Sequence, residues 1–100
     1  MTHRLRTAKP ASEELADAVR WYESRRRGLG RAFYGAVVAA LESIAAHPEI
    51  GTTAFDELDI RRVLVPRFPY QVIYRLGSRT ISVLAFAHLK RRPGFWKHRR

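Results

Sequence analysis

The stretch YQVIYRLGSRTISVLAFA, residues 70–87, sets the architecture of the chain, because it holds two apolar runs with a turn between them. Tyr70 to Leu76 and Thr80 to Ala87 are rich in β-branched and aromatic residues and flank Gly77-Ser78, so they predict two strands joined by a turn. Near-continuous apolarity in the second run is typical of a central strand covered on both faces. Its alternation predicts one face made of Ile81, Val83 and Ala85, and another made of Ser82, Leu84 and Phe86.

Two further strands are predicted outside this stretch. Ile60 to Val65 has the same β-rich composition, and the breaker-rich residues 66–69 join it to the next strand as a hairpin. At the start of the chain, His3 to Ala8 alternates weakly and predicts a short strand that Lys9-Pro10 ends.

Two helices are predicted along the chain between the first strand and the other strands. Apolar residues recur at helical spacing over residues 11–27 and again over residues 31–47, where Pro48 ends the pattern. Gly28-Leu29-Gly30 joins them as an antiparallel helical hairpin. The sequence therefore predicts an α+β domain of order β-α-α-β-β-β, with the helical hairpin packed on one face of a small, mainly antiparallel sheet.

The charges are distributed unevenly along the chain. Every Asp and Glu precedes Ile60, whereas residues 60–100 carry eleven Lys/Arg and no carboxylate, so nearly all of the net charge of +10 lies in one part. Six of these cations fall in a basic C-terminal tail, residues 88–100, which we predict to be a loop leaving the sheet. Such a distribution indicates an anionic partner, either nucleic acid or a carboxylate-rich protein segment.

The composition excludes several classes of protein. At 100 residues the chain forms a single domain, and 46% hydrophobic residues exclude a disordered basic tail. With no cysteine there is no disulfide framework and no thiolate chemistry, which fits the reducing cytoplasm. We find no signal peptide and no run of eighteen apolar residues, and so expect no membrane contact. The four histidines share no metal-ligand spacing, so we expect no metal site and no cofactor.

A series of short motifs occurs in order along the chain. They are Trp21-Tyr22-Glu23, Gly28-Leu29-Gly30 before Phe33, His47-Pro48-Glu49, Ile60-Arg61-Arg62, Arg67-Phe68-Pro69-Tyr70, Val72-Ile73-Tyr74-Arg75, and Ala87-His88 leading into Arg91-Arg92-Pro93-Gly94-Phe95-Trp96. Together they resemble the RelE/ParE toxin superfamily over nearly the whole chain. The resemblance implies the same small fold, and a toxin of a bacterial type II toxin–antitoxin module that an antitoxin neutralises with a disordered segment.

Two activities occur within that superfamily. RelE-like members cleave mRNA in the ribosomal A site, whereas ParE-like members poison DNA gyrase. RNA cleavage by 2′-OH attack needs proton-transfer groups and cations, but the position that resembles the RelE C-terminal tyrosine is Trp96, whose indole cannot transfer a proton near neutral pH. The position that resembles the preceding RelE arginine is Lys90. With the Trp21-Tyr22-Glu23, Gly28-Leu29-Gly30 and Arg67-Phe68-Pro69-Tyr70 motifs, this favours a ParE-like toxin without catalytic residues.

Candidate residues follow from these interpretations. Arg61 and Arg62 begin a strand and should point to opposite faces, Arg67 lies on a stiff hairpin tip, and Arg75 shares a face with Ile73, where it would form the floor of a basic site. The predicted target-binding residues are Arg62, Arg67, Arg75, Lys90, Arg91, Arg92, Phe95 and Trp96. The predicted antitoxin-binding residues are Trp21, Tyr34 and Arg61. In the alternative ribonuclease hypothesis, the catalytic residues are Arg61, Arg75, His88 and Lys90.

The expected partners are an acidic antitoxin, in a toxin–antitoxin hetero-oligomer, and DNA gyrase as the target. The alternatives are the ribosome and mRNA, or an inactive, merely basic nucleic-acid-binding domain. Each alternative satisfies the same charge, so composition alone leaves the choice of partner open.

Overall fold

The computed structural model describes residues 3–55 and 58–99. Its elements are β1 (Arg4–Thr7), α1 (Lys9–Arg25), α2 (Leu29–Ala46), a 3₁₀ turn (Pro48–Ile50), β2 (Thr52–Phe55), β3 (Ile60–Leu64), β4 (Tyr70–Leu76) and β5 (Thr80–His88). The helices form a hairpin that packs on one face of a five-stranded sheet. This confirms the predicted α+β class, in which helices cover a sheet on one side.

The strands lie in the order β1-β5-β4-β3-β2. β1 runs parallel to β5, and the other three neighbouring pairs are antiparallel, which confirms a mainly antiparallel sheet. β5 lies inside the sheet and is buried along most of its length, as its continuous apolarity predicts. The sheet has two sides, which we call the helix face and the second face.

The predicted element order lacks one strand, β2. Thr52–Phe55 is four residues long, lies at the sheet edge and pairs with β3 with a register shift between Thr53 and Phe55. A run this short, interrupted by an irregularity, shows no alternation that could be recognised in the sequence. The order is therefore corrected to β-α-α-β-β-β-β.

A bulge in β5 overturns the predicted division of its side chains. Ile73 pairs with Ala85 and Tyr74 pairs with Val83, so Leu84 is the extra residue. Beyond a bulge, the alternation of side chains shifts by one position. As a result Ala85 joins Leu84 on the second face, whereas Phe86 joins Val83 on the helix face.

The turn between the helices is held by one side chain. The carboxylate of Glu23 accepts hydrogen bonds from the backbone N–H groups of Gly28, at 3.0 Å, and Gly30, at 3.0 Å. Gly28 has φ +88°, a backbone conformation that glycine adopts without strain. A Cβ on Gly30 would lie 2.6 Å from the carbonyl oxygen of Val19, so glycine allows α2 to approach α1 closely.

Tyr74 connects β4 to the segment that follows α2. Its hydroxyl donates to the carbonyl oxygen of Pro48 and accepts from the N–H of Gly51 at 3.1 Å, while its ring is fully buried. Burial raises the pKa of Tyr74 above its usual value of 10.0, and the Gly51 hydrogen bond opposes that rise in part. The neutral phenol is therefore the form that the folded protein favours.

The helix α2 is long and apolar enough, by length and composition, to cross a membrane, with a mean hydropathy of 1.3. Its stripe of Phe33, Val37, Ala40 and Ile44 is buried against α1 and the sheet. A core helix that packs in this way meets the same criteria, so the feature is weak support for a membrane span.

Candidate functional site

The C-terminal tail folds back on the second face of the sheet. Trp96 is 5% exposed and packs among Ile60, Ile73 and Leu84, and its ring centroid lies 6.5 Å from that of Phe55. The sequence predicted that the tail leaves the sheet, and this part of the prediction is wrong, because the tail aromatics help to cover the apolar second face. Trp96 thus packs inside the domain.

Between the tail and the second face lies a cavity of about 310 Å³, which we call the basic groove. Its charged lining consists of Arg62, Arg91, Arg92 and Lys97, and no described residue that lines it is acidic. Gln71, Thr53 and the partly buried Phe95 also line it. Cations that converge on a concave surface attract anions strongly, because the low-dielectric walls focus their field.

Phe95 holds two of the tail arginines in place. The guanidinium of Arg91 lies 3.9 Å from the centroid of the Phe95 ring, and that of Arg99 lies 4.9 Å from it. Each contact has the distance of a cation–π interaction. The aromatic ring that the sequence assigned to target binding therefore also orders the cations beside it.

Glu14 of α1 binds the same arginines from the other side. Its carboxylate accepts from Arg99 Nη1 at 2.8 Å, from Arg91 Nη1 at 3.4 Å and from the backbone N–H of Phe86 at 3.2 Å. We call these four residues the Glu14 cluster. The sequence analysis missed Glu14, although its spacing from Ala11 and Ala18 places it on the buried stripe of α1, where a carboxylate requires partners.

The remaining predicted target-binding residues lie apart from the groove. Arg67 is exposed at the β3–β4 turn with φ +70°, and Lys90 is exposed beyond β5. Arg75 is exposed near the other end of β4, where it lines a separate cavity of about 380 Å³ with Asp59 and Ser82. Arg62 thus joins the tail cations, whereas Arg75 does not form the floor of their site.

The four residues of the ribonuclease hypothesis are not brought together. Tyr70 pairs with His88 at one end of β4 and Arg75 lies five residues away, a separation of about 17 Å at the rise of an extended strand. His88 Nδ1 accepts from the backbone N–H of Lys90 at 3.1 Å, so this nitrogen orients the start of the tail.

Arg61 and Arg62 point to opposite faces, as predicted. Arg62 pairs in register with Ile73 of the second face, and Arg61 pairs with Tyr74 of the helix face. The guanidinium of Arg61 donates to Asp59 at 2.9 Å and to the carbonyl oxygen of Glu49 at 2.9 Å. The contacts of Arg61 in this structure are therefore structural, and its role towards an antitoxin stays a prediction.

The other predicted antitoxin-binding residues are exposed on the helical hairpin. Trp21 is 49% exposed and Tyr34 is 51% exposed, and the guanidinium of Arg25 lies 4.6 Å from the Trp21 ring centroid. Trp21 also lines a cavity of about 660 Å³ with Tyr22, Tyr70 and other residues at the end of the sheet. Large exposed aromatics beside a mostly apolar cavity are typical of a protein-binding surface.

Within residues 3–55 and 58–99, no three His, Asp or Glu side chains are grouped so that they could hold a metal ion. The basic groove itself offers guanidinium and ammonium groups, which are hydrogen-bond donors and no metal ligands. The cationic lining of the groove suits the binding of anions.

Comparison with known proteins gives a family match and a structural match. The family model described as "ParE toxin of type II toxin-antitoxin system, parDE" matches residues 5–93. Among solved structures, the fold is similar to that of "Chromosomal ParDE TA system from P. aeruginosa", with a TM-score of 0.75, covering 87% of this chain and 96% of that chain. The identity to that chain is 13%, so this likeness concerns the fold alone. No curated protein matches the sequence significantly.

Proposed function

The chain belongs to the ParE toxin family of type II toxin–antitoxin systems, and from that membership we propose that it inhibits bacterial growth by binding DNA gyrase through the basic groove. The convergence of four cations on one concave surface carries this proposal. A groove of this kind suits an acidic protein surface or the phosphates of DNA, and both are present where a topoisomerase holds DNA. The mechanism requires binding alone, without a catalytic residue, and takes place in the cytoplasm.

An acidic antitoxin is the second partner that we propose. The net charge of +10 favours a carboxylate-rich segment, which would fold on binding and form a toxin–antitoxin hetero-oligomer. The exposed Trp21 and Tyr34 on the helices offer apolar anchors for it. The antitoxin would neutralise the toxin by covering the surface that the target needs.

The order in which cellular processes fail tests the target. DNA and protein synthesis are pulse-labelled separately in bacteria during the minutes after this chain is induced without an antitoxin. We expect DNA synthesis to fail first, together with an SOS response. If protein synthesis fails first and mRNA is cut at defined codon positions, the ribosome is the target and the gyrase proposal is wrong.

Substitution of groove cations tests the site. Arg91→Ala with Arg92→Ala removes two groove cations and should abolish growth inhibition, whereas the buried core remains, because both residues are exposed and Arg99 still binds Glu14. The matched control is Arg26→Ala with Arg27→Ala, which removes two exposed cations at the end of α1. Growth is measured after induction, and folding is measured by circular dichroism. Full toxicity in the folded Arg91/Arg92 variant would remove the basic groove from the mechanism.

A further inference from the structure

The tail is attached to α1 through a single carboxylate in the described part of the chain. Glu14 is the one acidic residue there that forms ion pairs with tail residues, and it forms two, with Arg91 and Arg99. The side chains of Glu14 and Arg99 are each only 17% exposed, so their pair is largely shielded from solvent. A shielded, charge-assisted hydrogen bond is stronger than an exposed ion pair.

The same cluster completes the edge of β5 where β1 ends. β1 pairs with Thr80 to Val83, and the N–H of Ala8 donates to the carbonyl oxygen of Val83, after which the chain enters α1. Beyond that point, Glu14 accepts from the N–H of Phe86 and Arg99 donates to the carbonyl oxygen of Leu84 at 3.0 Å. The ion pair thus supplies the acceptor and the donor that a neighbouring strand would have given.

Arg91 connects this cluster to the basic groove. It lines the groove, it stacks on Phe95 and its guanidinium reaches Glu14. Arg99 stacks on the same ring and reaches the same carboxylate. One carboxylate and one aromatic ring therefore fix two guanidinium groups, and with them the wall of the groove that the tail forms.

We propose that Glu14 is a positioning residue of the toxin: by holding Arg91 and Arg99, it keeps the tail on the sheet and shapes the basic groove for its target. Glu14 does not line the groove, so it acts through the arginines. The inference rests on the proposed function only for its effect on growth. The attachment of the tail is a property of the chain that can be measured by itself.

The test compares Glu14→Gln with Glu13→Gln. Both variants remove one negative charge from adjacent positions of α1, but Glu13 is exposed and outside the cluster. Amide hydrogen exchange is followed over residues 89–99, where Lys97 and Arg99 donate backbone bonds within the tail, and at Val37 in α2 as a core reference. We expect Glu14→Gln to accelerate exchange in the tail at least about tenfold, the factor that corresponds to losing a hydrogen bond to a charged group.

We expect the exchange rate at Val37 in Glu14→Gln, and all exchange rates in Glu13→Gln, to equal those of the native chain. Unchanged exchange in the tail of Glu14→Gln would overturn the proposal. If exchange accelerates equally at Val37 and in the tail, Glu14 stabilises the whole domain and does not specifically hold the tail, which would also overturn the proposal. Arg99→Gln breaks the same Glu14–Arg99 bond from the other side, so the double variant should accelerate exchange by less than the product of the two single effects.

Growth inhibition is then compared between two variants that have the same free energy of unfolding as each other. Glu14→Gln should inhibit growth less than Ile44→Val, which destabilises the core of α2 without touching the cluster. Full inhibition by a Glu14→Gln protein with an opened tail would overturn the positioning role. If the native chain does not arrest DNA synthesis, the proposed function fails, and hydrogen exchange still decides whether Glu14 holds the tail.

Discussion

Gly30→Ala should destabilise the domain, although alanine is the better helix former. The new Cβ would lie 2.6 Å from the carbonyl oxygen of Val19 and 3.0 Å from Cβ of Glu23, and the first of these atoms belongs to the backbone of α1. The helices must therefore separate, and overpacking of this kind costs about 1–3 kcal/mol. The gain from helix propensity is at most about 1 kcal/mol, so we expect a net loss of roughly 1–2 kcal/mol.

Gly35→Ala is the matched control in the same helix. A Cβ there would meet nothing within 4 Å, so only the propensity term remains. We expect this variant to be more stable than the native chain by about 0.5–1 kcal/mol. Urea unfolding followed by circular dichroism measures both, and the opposite signs are the test. If Gly30→Ala is as stable as Gly35→Ala, the close contact between α1 and α2 does not exist and the argument is wrong.

Two further predictions concern buried aromatic residues. Trp96→Ala should lower the free energy of unfolding in urea by about 3–5 kcal/mol. The control is Leu64→Ala, at a residue that is 63% exposed, which should change stability by less than about 0.5 kcal/mol. A loss below about 1 kcal/mol for Trp96→Ala would contradict its packing. Tyr74→Phe leaves the N–H of Gly51 without its acceptor and should cost about 1–3 kcal/mol at neutral pH. Because the folded-state pKa of Tyr74 is raised above 10.0, its contribution is complete below pH 10 and is lost as the pH rises through the folded pKa, so the native advantage should shrink only in alkaline solution.

The parts of the fold that local patterns determine were predicted correctly. Helix periodicity and the glycines between the helices located the hairpin, and β4 was predicted with its observed bounds, Tyr70–Leu76. β2 and the bulge at Leu84 were missed, because both depend on pairing with a neighbouring strand. Local composition contains no information about such a partner.

The sequence predicted which residues belong to the candidate site better than it predicted how they are arranged. The charge asymmetry identified the tail cations, and alternation in β3 predicted that Arg61 and Arg62 point to opposite faces, of which the structure places Arg62 beside the tail. The exclusion of Arg75 from the groove follows from the length of β4, and the burial of Trp96 follows from the path of the tail over the second face. Glu14 was missed because the arginines that it binds lie 77 and 85 positions away in sequence.

The fold neutralises the basic part of the chain only in part, and that division bears on function. Arg61 is paired with Asp59, and Arg91 and Arg99 are paired with Glu14. Besides Arg91, the cations of the groove are Arg62, Arg92 and Lys97, and none of the described residues that line the groove is a carboxylate. The mutual repulsion of these cations is therefore relieved when an anion enters. In the proposed mechanism, these cations supply the attraction for a partner. Arg91 is already oriented by Glu14 and Phe95 before the partner arrives, so less of the binding free energy is lost in ordering it.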